Sequence, residues 1–107
     1  MSHSDDGTLP EITIDEAIEL VAGGATLIDV REQDEWDAGH APTAQLLPLS
    51  TIQERMGELP AERQLLIICH SGGRSARVTE LLLTQGFDAV NVAGGMTAWR
   101  AAGADVE

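Results

Sequence analysis

Residues 65–75 read LLIICHSGGRS, an apolar run followed by a polar loop that contains two adjacent glycines. The run from Leu65 to Cys69 is apolar at every position, which is typical of a strand covered on both faces in the middle of a parallel sheet. The clearest helical pattern of the chain then extends from Ser75 to Gln85. The segment therefore predicts a central strand, a short glycine-containing loop and a helix.

Strands and helices alternate on both sides of this segment. Thr13 and Glu16 have the spacing of a capping box, which predicts a helix that ends at Gly23-Gly24. The other predicted elements are strands over residues 25–30, 45–47 and 89–92, a helical turn over 32–38, a short helix capped by Ser50 and Gln53, and a last short helix carrying Met96 and Trp99. This alternation through short connections predicts an α/β fold in which a mostly parallel central sheet has helices on both faces.

The length of 107 residues is that of one domain. Residues 1–10 are polar and end in a proline, so we expect a flexible N-terminal tail followed by one domain over residues 11–107. The N-terminus has neither the basic start nor the apolar core of a secretory signal, which favours the cytoplasm. The single cysteine excludes an internal disulfide.

The composition is strongly acidic. Eighteen acidic residues and six basic ones give a formal net charge of −12 at pH 7. Nucleic acid and anionic lipid would repel such a chain, so we expect neither as a partner. The longest apolar run, Leu65 to Cys69, is far too short to cross a bilayer, so we expect no membrane span.

The predicted loop places Cys69 where open α/β sheets bind their ligands, at the carboxyl end of a central strand. Gly72 and Gly73 permit backbone conformations that turn N–H groups inward, and the following helix adds a partial positive charge. Such a cradle should lower the pKa of Cys69 below the value of about 8.5 for a free thiol. Arg74, charged at any working pH, can hold an oxyanion beside the sulfur. A buried core cysteine is the structural alternative, but packing requires neither the glycines nor the arginine.

Other polar and aromatic residues favour structural roles. Alternation along a strand puts Asp29 and Arg31 on the same face, where we expect an ion pair that ties the strand to a neighbouring loop. Trp36 and Trp99 are expected to pack in the core or at its rim. The acidic run from Glu32 to Asp37 is most simply a solvated helix face.

The sequence says less about the roles of the histidines. His70 could move a proton or add positive charge near Cys69, or it could be an exposed loop histidine without a role in catalysis. His40 is expected to satisfy local backbone groups rather than to touch a substrate.

In three segments, the sequence resembles a single-domain rhodanese. Residues 69–75, CHSGGRS, are similar to the loop of that family, in which four residues separate the cysteine from the arginine. LIDVREQDEWDAGH at 27–40 and VNVAGGMTAW at 90–99 are similar to two further segments of the family, which occur in the same order. The resemblance covers roughly Ile12 to Val106 and implies a single rhodanese-like domain.

The resemblance also implies sulfur transfer. The thiolate of Cys69 would take the outer sulfur of thiosulfate, or of a related small anionic donor, and hold it as a persulfide that cyanide or a thiol acceptor then collects. No metal and no organic cofactor would be required. Substrate binding would fall to the rest of the loop, namely His70, Ser71, Gly72, Gly73, Arg74 and Ser75.

Two other functions remain open. The same loop would serve a persulfide carrier or interaction module whose acceptor is a protein. A cysteine-dependent phosphatase or arsenate reductase resembles this architecture, but those enzymes place five residues between the cysteine and the arginine. Cys69 and Arg74 enclose four, and the smaller ring of N–H groups suits a single sulfur atom better than a tetrahedral oxyanion.

Overall fold

The computed structural model describes residues 9–107. Its strands are β1 (Glu11–Ile12), β2 (Thr26–Asp29), β3 (Gln45–Leu46), β4 (Leu65–Ile68) and β5 (Ala89–Val92). Its helices are α1 (Ile14–Ala22), α2 (Gln33–Asp37), α3 (Ile52–Arg55), α4 (Gly73–Thr84) and α5 (Gly95–Ala101), with 3₁₀ turns at Leu49–Thr51 and Met56–Glu58. No helix within residues 9–107 has both the length and the apolar character needed to cross a membrane.

The strands form one parallel sheet in the order β1-β5-β4-β2-β3. Strand β4 lies in the centre, where Ile67 is in register with Ile28 of β2 and with Asn91 of β5. All four residues of β4 are fully buried. The prediction of a central strand covered on both faces is therefore confirmed, and the carboxyl end of this strand lies between those of two neighbours.

Side chains of β4 alternate between two apolar layers, as the pleat of a strand requires. Leu65 and Ile67 pack in the layer that contains Val78 and Leu82 of α4 and also Ile52 of α3. Opposite them lies a second layer; it contains Leu66 and Ile68 of β4, Ala17 of α1, and Met96 and Trp99 of α5. Helices thus cover both faces of the sheet, as the sequence predicts.

The start of the longest helix and the N-terminal edge of the sheet differ from the sequence-based prediction. Helix α4 begins at Gly73, two residues before the predicted start, because Gly72 precedes it with a positive φ of 111° that glycine adopts without strain. The short edge strand β1 has no counterpart in the prediction. Residues 1–8 of the predicted tail lie outside the described residues. Pro10, also assigned to the tail, accepts a hydrogen bond from the amide of Asn91 through its carbonyl oxygen (2.9 Å).

The predicted helix cap at Ser50 is wrong. Ser50 lies inside the first 3₁₀ turn, and its Oγ donates a hydrogen bond of 2.8 Å to Oε1 of Glu32. A capping hydroxyl must accept from a backbone N–H, but here a nearby carboxylate competes as a stronger, charged acceptor. Helix α3 begins only at Ile52, without a side-chain cap.

The predicted ion pair between Asp29 and Arg31 is confirmed. Nε and Nη2 of Arg31 donate to the Asp29 carboxylate at 2.8–3.1 Å, and Nη2 also donates to the carbonyl oxygen of Gly39 at 2.9 Å. The two residues are 0% and 3% exposed. The pair therefore ties the end of β2 to the loop that follows α2.

We expect Arg31→Leu to lower the free energy of unfolding by about 3–5 kcal/mol, because Asp29 would stay buried without its cationic partner. Urea unfolding measures the change. Arg55→Leu is the control, since the pair between Arg55 and Glu58 is exposed and its loss should matter little. A small and equal change in both variants would contradict a structural role for the buried pair.

Candidate active site

Cys69 follows β4 directly, at the edge where the carboxyl ends of β2, β4 and β5 meet. Its side chain is a free thiol, and the residue is buried, with 1% exposure. Residues 70–72 form the loop, in which His70 and Ser71 are exposed, and α4 follows from Gly73. The buried sulfur thus lies beneath an exposed rim.

The amide of Gly72 donates a hydrogen bond to the sulfur, and the hydroxyl of Ser75 lies within hydrogen-bond distance of it. The amide of Gly72 lies 3.1 Å from Sγ of Cys69, and Oγ of Ser75 lies 3.3 Å from it. The positive φ of Gly72 turns this amide inward. Gly73, in contrast, has no positive φ, and a Cβ there would meet nothing within 4 Å. The sequence analysis expected both Gly72 and Gly73 to turn N–H groups inward. Only Gly72 has the positive φ that distinguishes glycine from other residues.

The pKa of Cys69 is set by two opposing effects. Burial raises the pKa of the thiol, because it disfavours the charged form. Hydrogen bonds from the Ser75 hydroxyl and from the backbone amides of Ser75, Gly72 and Ser71 lower it and outweigh burial. The net pKa of Cys69 is below its ordinary value, as expected from the sequence, so the thiolate fraction at neutral pH is increased.

A buried amide holds Ser75 in place. Oγ of Ser75 lies 2.5 Å from Oδ1 of Asn91, closer than its other acceptors. Nδ2 of Asn91 donates to Glu11 at 3.0 Å, which orients the amide oxygen towards the serine. Sequence reasoning included Asn91 only as a strand residue. The available signal was its polarity between Val90 and Val92 in a buried strand, since a buried amide needs hydrogen-bond partners.

The start of α5 holds the loop backbone. The amides of Met96 and Thr97 donate to the carbonyl oxygens of Cys69 (2.7 Å) and His70 (3.0 Å). A Cβ at Gly95 would lie 2.5 Å from the first of these oxygens and 2.6 Å from the second. Only a glycine at position 95 permits this close approach. Sequence reasoning took Gly94-Gly95 as a connection and missed its contact with the loop.

Arg74 pairs with a carboxylate from α2. Its Nη1 and Nη2 donate to Oε1 and Oε2 of Glu35 at 2.6 and 2.7 Å, and both side chains are about one-third exposed. The hydrogen bonds from Arg74 lower the pKa of Glu35 to about 2, although burial opposes the shift. The interpretation of residues 32–37 as a solvated face is therefore wrong for Glu35, whose carboxylate Arg74 holds in a part-buried pair.

His40 and the two tryptophans, for which the sequence predicts structural roles, have local partners. Nδ1 of His40 lies 3.0 Å from the carbonyl oxygen of Trp36, and the two rings stack with centroids 3.6 Å apart. Trp99 is buried and donates from Nε1 to the carbonyl oxygen of Asp105 at 2.8 Å. These contacts confirm the predicted structural roles. In the described part of the chain, no group of three or more His, Cys, Asp or Glu residues is placed to hold a metal ion.

The model of the family described as "Rhodanese-like domain" matches residues 13–102. The chain belongs to the rhodanese-like domain family. A crystal structure of a rhodanese-related protein from Thermoplasma volcanium superposes with a TM-score of 0.87 at 30% identity, over 92% of this chain and 97% of that one. The recognition of a rhodanese-like domain with a parallel sheet is thus confirmed.

Two relatives from Bacillus subtilis (strain 168) carry names that refer to sulfur. "Putative sulfurtransferase YtwF" is 45% identical over 73 residues, which are 68% of this chain and 71% of that protein. "Putative sulfur carrier protein YrkF" is 35% identical over 101 residues, or 92% of this chain, which spans only about half (55%) of that protein. Together with the rhodanese-like family, these relatives support sulfur transfer as the general activity.

We expect Gly95→Ala to raise the pKa of Cys69 towards that of a free thiol, because a Cβ must displace the carbonyls of Cys69 and His70 and with them the loop amides. The rate of iodoacetamide alkylation against pH gives this pKa directly, since Cys69 is the only cysteine. Gly103→Ala is the matched control.

Gly103 also has a positive φ (79°), but a Cβ there would meet nothing within 4 Å. Its replacement should cost about 1–2 kcal/mol of backbone strain and leave the pKa of Cys69 unchanged. An equal pKa in Gly95→Ala and the wild type would show that the contact with α5 does not order the loop.

Proposed function

We propose that the protein is a sulfurtransferase that moves the sulfane sulfur of thiosulfate, or of a related donor, to cyanide or a thiol through a persulfide on Cys69. The observation that carries the proposal is the hydrogen bond from the Gly72 amide to the sulfur of Cys69. Hydrogen bonds of this kind stabilise a thiolate, and the thiolate is the nucleophile.

The first half-reaction loads Cys69. Its thiolate attacks the outer sulfur of thiosulfate, a new S–S bond forms, and the bond to the central sulfur breaks so that sulfite leaves with the electron pair. The charge of −3 on the reactants is conserved in the persulfide anion and sulfite. We assign Arg74 to the oxyanion of the donor, while His70 and Ser71 at the rim and the Gly72, Gly73 and Ser75 backbone contribute to the binding site.

The second half-reaction restores the thiolate. Cyanide or a thiolate attacks the outer sulfur of the persulfide, and the S–S bond breaks with its electron pair returning to Cys69. Each step is a displacement at sulfur, so neither half-reaction calls for an external oxidant, a reductant or a metal. A free cysteine nucleophile suits a reducing compartment, and we propose that the protein acts in the cytoplasm.

A persulfide carrier with a protein acceptor is the second candidate. The similarity to a protein named as a sulfur carrier, over 92% of this chain, favours it. The loading step would be the same, and only the acceptor would differ. Faster sulfur release to a purified protein partner than to cyanide would identify this function. The spacing of four residues between Cys69 and Arg74 continues to disfavour a phosphatase or arsenate reductase.

We expect Cys69→Ser to abolish thiocyanate formation from thiosulfate and cyanide, because serine is nearly isosteric but far less nucleophilic. Circular dichroism should show an unchanged fold. The wild type should be assayed with thiosulfate, mercaptopyruvate and a phosphate ester side by side. Turnover of the phosphate ester alone, or substantial activity in Cys69→Ser, would overturn the proposed function.

A further inference from the structure

The one cation of the active-site loop is already bound by an anion of the same chain. The guanidinium of Arg74 meets the carboxylate of Glu35 through two parallel hydrogen bonds of 2.6 and 2.7 Å. This fork-to-fork geometry is the one in which an arginine binds a carboxylate or an oxyanion ligand. An oxyanion donor that uses these two nitrogens must therefore displace Glu35 or share Arg74 with it.

The carboxylate remains charged in the working pH range. The hydrogen bonds from Arg74 bring the pKa of Glu35 to about 2. Hydrogen bonding to Glu35, and then the charges of Glu35, Cys69 and Glu32, raise the pKa of Arg74, although burial opposes the shift. Arg74 directly precedes Ser75, whose Oγ lies 3.3 Å from Sγ of Cys69. At neutral pH the sulfur thus lies near an arginine whose charge is balanced by a carboxylate.

The second arginine in this region is also neutralised, because Arg31 pairs with Asp29. The other charges that act on Arg74, those of the Cys69 thiolate and of Glu32, are negative. The chain as a whole carries −12. A doubly charged donor would approach this site against repulsion, and a donor of lower charge would approach with less.

We propose that Glu35 occupies the anion-binding side of Arg74 and so selects against dianionic donors in favour of sulfane-sulfur donors with at most one negative charge, such as simple alkyl persulfides. The inference rests on the proposed function and names its substrate class. In the transfer, the thiolate of Cys69 attacks the outer sulfur of R–S–SH, the S–S bond breaks, and R–S⁻ leaves while Cys69 becomes the hydrodisulfide.

A purely structural role for Glu35 makes a different prediction. In that case the pair only fastens α2 to the loop, and its loss would lower stability without changing which charges the site accepts. Asp34 provides the matched control, because it is an exposed carboxylate in the same helix. Glu35→Gln and Asp34→Asn remove the same charge from the chain, but only the first alters the partner of Arg74.

The first experiment needs no sulfur transfer. Cys69 is alkylated with neutral iodoacetamide and with anionic iodoacetate, and the ratio of the two rates reports the charge preference at the sulfur. We expect Glu35→Gln to raise the iodoacetate-to-iodoacetamide ratio about five- to tenfold and Asp34→Asn to change it less than about twofold. Glu35→Ala, which also removes the hydrogen bonds, should shift the ratio in the same direction. Equal shifts in the Glu35 and Asp34 variants would overturn the proposal.

The second experiment compares thiosulfate, a dianion, with methanethiosulfonate, a monoanion of similar shape. Glu35→Gln should raise kcat/KM for thiosulfate about five- to tenfold through a lower KM, and change that for methanethiosulfonate less than about twofold. The effect should vanish in an Arg74→Ala background. An unchanged or lower thiosulfate kcat/KM in Glu35→Gln would overturn the donor selection. If the wild type turned over none of these donors, the proposed function would be overturned instead. The ratio of the two alkylation rates would still test whether Glu35 controls the charge preference at the sulfur.

Discussion

The structure depends on holding a backbone loop against the sulfur of Cys69. The amide of Gly72 lies 3.1 Å from Sγ only because the chain turns back at once after the central strand. Two elements fix that turn: α4 begins at Gly73, directly after it, and the first amides of α5 bind the carbonyls of Cys69 and His70. Gly95 brings α5 close enough for these contacts. The glycines that matter most for the site therefore lie on two different elements, joined through the backbone rather than through side chains.

Charge is the second organising feature. The two arginines beside the site, Arg31 and Arg74, bind carboxylates of the segment from Asp29 to Glu35. The first pair is buried and fixes the end of β2, whereas the second is partly exposed and joins α2 to the active-site loop. These arginine–carboxylate pairs thus stabilise the loops beside the site and also set which charges the site accepts. In a chain of net charge −12, pairing these cations leaves a site suited to donors of low negative charge.

Local patterns predicted much of the fold, because their causes lie within a few residues. The capping box of Thr13 and Glu16 and the limits of β5 appear as expected. Contacts between distant residues could not be predicted in this way. Glu35 and Arg74 are 39 positions apart, and Glu11 and Asn91 are 80 apart, so neither partner could be chosen from spacing. The failed cap at Ser50 has the same origin, since its hydroxyl binds a carboxylate 18 residues away.

If Cys69 carries the transferred sulfur, intact-mass spectrometry of the protein mixed with thiosulfate in the absence of an acceptor will detect it there. We expect a gain of one sulfur atom located on Cys69, release of an equivalent of sulfite, and loss of the added sulfur as thiocyanate when cyanide is introduced. The loop amides should stabilise this persulfide long enough for it to be observed. Formation of thiocyanate without added sulfur ever appearing on Cys69 would show that Cys69 is not the sulfur carrier. An equal gain of sulfur by the Cys69→Ser variant would show the same.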